Sequence, residues 1–218
     1  MQPLSESVFH QSPPGGFFDD AVVRVLFPRQ SEGARRALVH RSTRSGEVLR
    51  LRPGLYCLGA PLRKSHPHPF VVAAMLHWPS HVSLESALAH HGLIPEAVFT
   101  VASVTVRRSR SFSTPLGHFS FTRIPMADPL AGVQAMKLDR HAWAFVASSL
   151  RAIADLLYVR KREIQDEGAA LDFLTGSMRI EREDLDALKW DELEEILCAL
   201  RSIKTRRLLE RLRERITA

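Results

Sequence analysis

Within residues 81–121 the spacing of apolar residues changes from the period of a helix to that of a strand, which excludes an all-helical or an all-β chain. Leu84, Ala87 and Leu88 recur three and four residues apart, Ser83 stands where an N-cap belongs, and Gly92 supplies the left-handed position that ends a helix. Residues 98–106 then alternate. After a basic corner at Arg107, Arg108 and Arg110, residues 112–114 and 118–124 continue as two strands joined at Leu116-Gly117. This order predicts an antiparallel β-meander over residues 98–124 inside an α+β fold.

Upstream, residues 1–16 are polar and close on Ser-Pro-Pro-Gly-Gly, the composition of a flexible lead-in. Phe17, Phe18, Ala21, Val22, Val25 and Leu26 predict a helix over 17–27, stopped by Pro28. A second helix starts with Ser31 as N-cap and Glu32 in the first turn, with Ala34, Ala37 and Leu38 inward. In residues 47–58, Val48, Leu49 and Leu51 lead into a Pro53-Gly54 turn, and Leu55, Tyr56 and Cys57 return as the second arm of a hairpin. Two helices followed by a basic hairpin are the parts of a winged helix-turn-helix. The proline- and histidine-rich stretch 61–69 reads as a linker, giving an N-terminal winged-helix-like DNA-binding domain over 1–62 and a second domain over 63–218.

In the second domain, Val71, Ala74, Met75 and Trp78 mark one face of a helix over 70–78, and residues 128–138 read as a loop. A long helix is expected over 141–160, with Val146, Leu150, Ile153 and Leu157 inward and Arg151 and Asp155 off that stripe. The helical part, 141–218, turns acidic over residues 163–195. From Arg201 onward it becomes a basic amphipathic helix built on Leu208, Leu209, Leu212 and Ile216.

The chain has 218 residues with a formal net charge of +6, and its cations are unevenly placed. Arg24, Arg29, Arg35, Arg36, Arg41, Arg44, Arg50 and Arg52 face only Glu32 and Glu47, a bias that suits a polyanion. Arg35, Arg36, Arg41 and Arg44 are the candidate DNA contacts of the helix, and Arg50 and Arg52 the phosphate contacts of the wing. Arg107, Arg108 and Arg110 form a second basic patch, open to three readings: phosphate contact, partner interface, or a solvated edge that resists strand pairing.

Ser83, Glu85, Ser86, His90 and His91 have the residue types of a hydrolase, but they fall at a cap and within a helix. His66 and His68 have no third ligand at local spacing. Glu192, Glu194 and Glu195 surround Leu193, Ile196 and Leu197 as a solvated helix face does. They are also the residues through which a metal-dependent nucleic-acid-processing enzyme would work. No catalytic residue, metal ligand or cofactor is assigned, and the chain is read as a non-enzyme; a protein-interaction module without DNA binding is the other alternative. No apolar run reaches the roughly 20 residues of a membrane span, and the start lacks a signal-peptide layout, so the expected location is cytoplasmic with no membrane partner. Cys57 and Cys198 read as two small buried thiols in a reducing compartment.

Four blocks carry a family resemblance: LRPGLYCL (51–58), PFVVAAMLHWPSHVSLESALAHHGLIPE (69–96), SVTVRRSRSFSTPLGHFSFTRI (103–124) and VASSLRAIADLLYVR (146–160). In this order they resemble AbiEi-type antitoxins, the transcriptional-regulator partners of nucleotidyltransferase-like toxins in abortive-infection, type IV toxin-antitoxin systems. The resemblance implies an N-terminal winged helix that binds double-stranded operator repeats and represses its own operon. It also implies a C-terminal antitoxin domain that counteracts the toxin without requiring a direct complex.

Overall fold

Asp19 makes the first local decision of the chain. In the computed structural model, which describes residues 1–63, 65–95, 99–139 and 142–217, Phe17 and Phe18 do not open a helix. They form a short strand, β1 (Phe17–Asp19), antiparallel to β3 (Leu55–Leu58). The Asp19 side chain then accepts from the Val22 amide at 2.9 Å and starts α2 (Asp20–Leu26), so the helix expected over 17–27 is a strand followed by a shorter helix. The expected lead-in is also structured. Helix α1 (Pro3–Gln11) buries Leu4 and Val8 completely beside α3 (Glu32–Arg44), and Ser5 Oγ donates to the Glu47 carboxylate. Two apolar residues one turn apart and that anchor order a segment that composition marks as loose.

Helix α3 keeps its expected cap, with Ser31 Oγ accepting from the Ala34 amide at 3.2 Å; Leu38 is buried, while Ala37 is exposed. Strand β2 (Val48–Arg52) and β3 form the hairpin, and the first sheet has the order β1-β3-β2, antiparallel throughout. The hairpin's period of two divides it between two cores. Val48, Tyr56 and Leu58 join Leu4, Val8, Phe18, Val23 and Leu38, whereas Leu51, Leu55 and Cys57 join the larger core that runs through the rest of the chain.

The second sheet has the order β6-β7-β5-β4-β9-β8. Its strands are β4 (Ser80–Val82), β5 (Thr100–Thr105), β6 (Arg110–Thr114), β7 (Gly117–Arg123), β8 (Val133–Asp139) and β9 (Ala142–Ala147). The predicted antiparallel meander is a mixed arrangement: β5 runs parallel to β7 and β4 parallel to β9, and β6 lies outside β7. Alternation fixes that these segments are strands, but pairing is a long-range choice that alternation does not encode. The expected loop at 128–138 contains most of β8, and the expected helix over 141–160 is β9 followed by α6 (Ser149–Val159). The predicted strand start at Val98 and helix start at His141 lie outside the described residues.

Helix α4 (Pro69–Leu76) buries Phe70, Val72, Ala73 and Leu76, and Met75 and Trp78, expected inward, are exposed. The segment is apolar on every side, so periodicity alone does not choose its face. Helix α5 (Leu84–His90) ends at Gly92 as expected, with Gly92 at φ +78°. Four further helices, α7 (Glu167–Asp172), α8 (Arg182–Asp186), α9 (Leu193–Ala199) and α10 (Ile203–Thr217), complete the described chain. Helix α10 buries Leu208, Leu209, Leu212 and Ile216 and packs on α7 and α6, so the basic tail lies on the acidic helices before it. Arg211 faces Glu167 at 3.9 Å and Arg213 faces Glu194 at 3.7 Å. Cys57 is buried, but Cys198, expected inward, is exposed. Among the described residues no helix is long and apolar enough to cross a membrane.

Candidate nucleic-acid interface

The α2–α3 turn is held by Arg35. Its Nη1 donates to the Gln30 carbonyl at 2.6 Å and to the Phe27 carbonyl at 3.3 Å, so this residue, expected as a DNA contact, also fixes one helix against the next. The turn leaves the polar side of α3 facing the hairpin. Between them runs a groove of about 830 Å³, lined by Arg24 of α2, Glu32, Arg35, Arg36, His40 and Thr43 of α3, Arg50 of β2 and the Pro53-Gly54 turn. Tyr56 also lines it, and its hydroxyl donates to Asp20 Oδ1 at 3.0 Å. Burial, and then that aspartate, push the Tyr56 hydroxyl pKa up, keeping it a neutral donor. Gly54 sits at φ +76°, and a Cβ there would meet Asp20 Oδ2 at 3.2 Å.

The cations differ in how free they are. Arg36 pairs with Glu32 one turn earlier on the exposed face, a weak contact that a phosphate readily replaces. Arg24, Arg29, Arg41, Arg44 and Arg50 are exposed and make no ion pair among the described residues; Arg41 and Arg44 lie on α3 but do not line the groove. Arg50 and Arg52, predicted as a pair, are separated by a β-bulge in β2. Arg50 joins the groove, and Arg52 lies near His77 on the side of the second sheet, where Arg107 and Arg110 also approach. Burial, and then Arg110 and Arg107, lower the pKa of His77 and keep it neutral. Arg107, Arg108 and Arg110 are all exposed beside β6, the edge strand next to β2.

The serines and histidines of residues 81–91 tie α5 into the core. Ser86 Oγ accepts from the Ala102 amide at 2.8 Å, and the His91 ring meets the Ala147 carbonyl at 2.8 Å. Ser83 does not cap α5 with its side chain; its Oγ donates to Asp155 Oδ2 at 2.7 Å. Asp155 also faces Arg151 Nε at 3.1 Å and His81 Nε2 at 3.4 Å. Arg151 further donates to the Ala131 carbonyl and lies 2.6 Å from Met126 Sδ. Arg151, Asp155 and Ser83 are fully buried, and His81 is 5% exposed. Burial by itself would raise the Asp155 pKa, but Arg151, then His81 and Ser83, outweigh it and hold the carboxyl below its usual range.

This quartet corrects the placement of Arg151 and Asp155 off the buried stripe. Its sequence signal is an i,i+4 Arg/Asp pair in a helix apolar on every other side. A serine that gives its proton to a carboxylate already neutralised by arginine joins helices; it is not poised as a nucleophile. Among the described residues no cluster of three or more His, Cys, Asp or Glu could hold a metal ion. A scan against protein-family models finds no family that matches the chain, and a search of curated proteins finds no matching relative.

Proposed function

We propose that the protein is a DNA-binding transcriptional repressor that autoregulates its operon and acts as the antitoxin of a type IV toxin-antitoxin system. The observation that carries the DNA half is the groove between α3 and the hairpin turn, with Arg24, Arg36 and Arg50 around it. The element order α1-β1-α2-α3-β2-β3 with sheet order β1-β3-β2 supports reading residues 1–62 as a winged helix-turn-helix. In this reading α3 enters the major groove of operator DNA, Pro53-Gly54 is the tip of the wing, and the arginines neutralise phosphates. The antitoxin half rests on the AbiEi resemblance of residues 51–160. It makes a nucleotidyltransferase-like toxin the functional partner, with no stable complex required.

The test is fluorescence anisotropy with the DNA upstream of the reading frame, titrated over salt. Arg36→Ala and Arg50→Ala should each weaken binding and each reduce the salt slope by about 1, whereas Arg35→Ala should act mainly by loosening the α2–α3 turn. Unchanged affinity and slope in the Arg36/Arg50 double variant would overturn the groove assignment. Co-expression with a nucleotidyltransferase-like protein from the adjacent reading frame should restore growth; failure to do so removes the antitoxin half alone.

A further inference from the structure

A second cleft lies where the two cores meet. It measures about 680 Å³, within the ~300–1,000 Å³ range of small-molecule sites, which favour such boundaries. Its apolar walls come from two segments of the chain: Phe9, Phe17 and Leu62 of the N-terminal part, and Val71 and Met75 of α4. Phe9 and Met75 are large side chains left 36% and 40% exposed there. No carboxylate lines the cleft among the described residues, and its fixed charge is that of Arg63, beside His66 and His68.

Arg63 is held in place but not satisfied. Gly16, at φ +73°, has no side chain, and a Cβ there would meet Arg63 Cγ at 3.3 Å, so the arginine stem lies close against the backbone of the turn. Its Nη1 reaches Cys57 Sγ at 3.9 Å, a weak acceptor, and its Nε is buried with no hydrogen-bond partner among the described residues. A guanidinium N–H shielded from water and lacking an acceptor is destabilising, and the groups that match an arginine fork with two parallel bonds are oxyanions, carboxylates among them.

We infer that this cleft binds a small carboxylate with an apolar body. The carboxylate pairs with the Arg63 guanidinium, and the body packs between Phe9 and Phe17 on one side and Val71 and Met75 on the other. Inorganic anions fit the charge but leave the apolar walls uncovered, and neutral amphiphiles cover the walls but leave Arg63 unpaired. The inference is independent of the DNA reading.

Isothermal titration calorimetry and thermal melting of the full chain test it with octanoate, decanoate and phenylacetate, against decanol, decylamine and inorganic phosphate. At least one of the carboxylates should bind saturably at one site per chain and raise Tm. The alcohol, the amine and phosphate should each bind at least about tenfold more weakly, as should the carboxylate to Arg63→Gln. Val71→Trp, or Met75→Trp at the more exposed position, should fill the cleft and abolish binding while the variant still melts cooperatively. Absence of saturable binding by all three carboxylates overturns the proposal. So does equal binding of decanol or phosphate, or binding that survives both Arg63→Gln and the cleft-filling variants.

Discussion

Replacing Arg151 by methionine removes the only cation within a fully buried network. Asp155 would keep Ser83 Oγ at 2.7 Å and His81 at 3.4 Å, but would lose the guanidinium 3.1 Å away, and the Ala131 carbonyl would lose a donor. Removing one member of a buried ion pair costs about 3–5 kcal/mol, because the other charge stays behind without compensation. For a chain of this size that is a fall in Tm on the order of 6–20 °C. Urea denaturation followed by circular dichroism measures the loss, and the double variant Arg151→Met/Asp155→Leu supplies the control. With both charges gone, stability should return to within about 2 kcal/mol of the parent.

The pH dependence gives a second readout of the same variant. In the parent, the depressed Asp155 pKa contributes stability that is present above the carboxyl's ordinary value and is lost as pH falls through the folded value. Without Arg151, burial raises that pKa, so protonation relieves the variant and the gap between the two proteins narrows toward acid. A loss below about 1 kcal/mol, or a gap that does not narrow, would refute the claim that Arg151 neutralises Asp155.

Other expectations are simpler to read. His81 is kept neutral by burial first, against the pull of Asp155, with Arg151 adding to the effect; its folded pKa lies below the ordinary 6.5. Its contribution is complete above about 6.5 and is lost as pH falls, so His81→Gln should flatten the stability profile just below that pH. Gly132→Ala should cost more than Gly92→Ala. Both positions have positive φ, worth roughly 1–2 kcal/mol, but only at Gly132 does a new Cβ meet Ile196 Cγ1 at 2.9 Å and Arg151 Cβ at 3.0 Å. The clash adds about 1–3 kcal/mol, and equal losses in chemical denaturation would contradict the close approach. Ellman's reagent should titrate one thiol quickly in the native protein, Cys198, and reach Cys57 only on unfolding, since burial also pushes the Cys57 pKa up. Two fast thiols would mean that β3 is not covered as described.

Local chemistry was legible wherever it decides the structure. Ser31 caps α3, Pro53-Gly54 turns the hairpin, Gly92 ends α5, and the leucines of α10 face inward, as their spacing implies. The misses are places where a distant partner decides. Phe17 and Phe18 become a strand because β3 offers them an edge, and residues 142–147 become β9 because β4 and β8 flank them. The parallel β5–β7 pairing and the burial of Arg151 with Asp155 have the same origin, since Ser83 and His81 lie more than seventy positions from Asp155. At the candidate interface, charge counting singled out residues 24–52. It could not tell Arg35, whose guanidinium also holds a turn, from Arg36, which pairs only with Glu32 among the described residues, nor see that a bulge sends Arg50 and Arg52 apart.

The pairing of β4 also orders the events of synthesis. The first sheet needs nothing beyond Leu58, so a chain emerging from the ribosome can close β1-β3-β2 early. Strand β4, by contrast, holds β5 on one side and waits for Val146 on the other, and Asp155 reaches Ser83 and His81 later still. Until residue 155 has emerged, the nascent second sheet carries an unpaired edge and a polar pair without its hydrogen-bond partner, the stage at which strand exchange with a neighbouring chain is easiest. Pulse proteolysis of stalled nascent chains reads that interval directly: protection of residues 1–58 should precede protection of 80–147, and simultaneous protection would show that the two sheets form together.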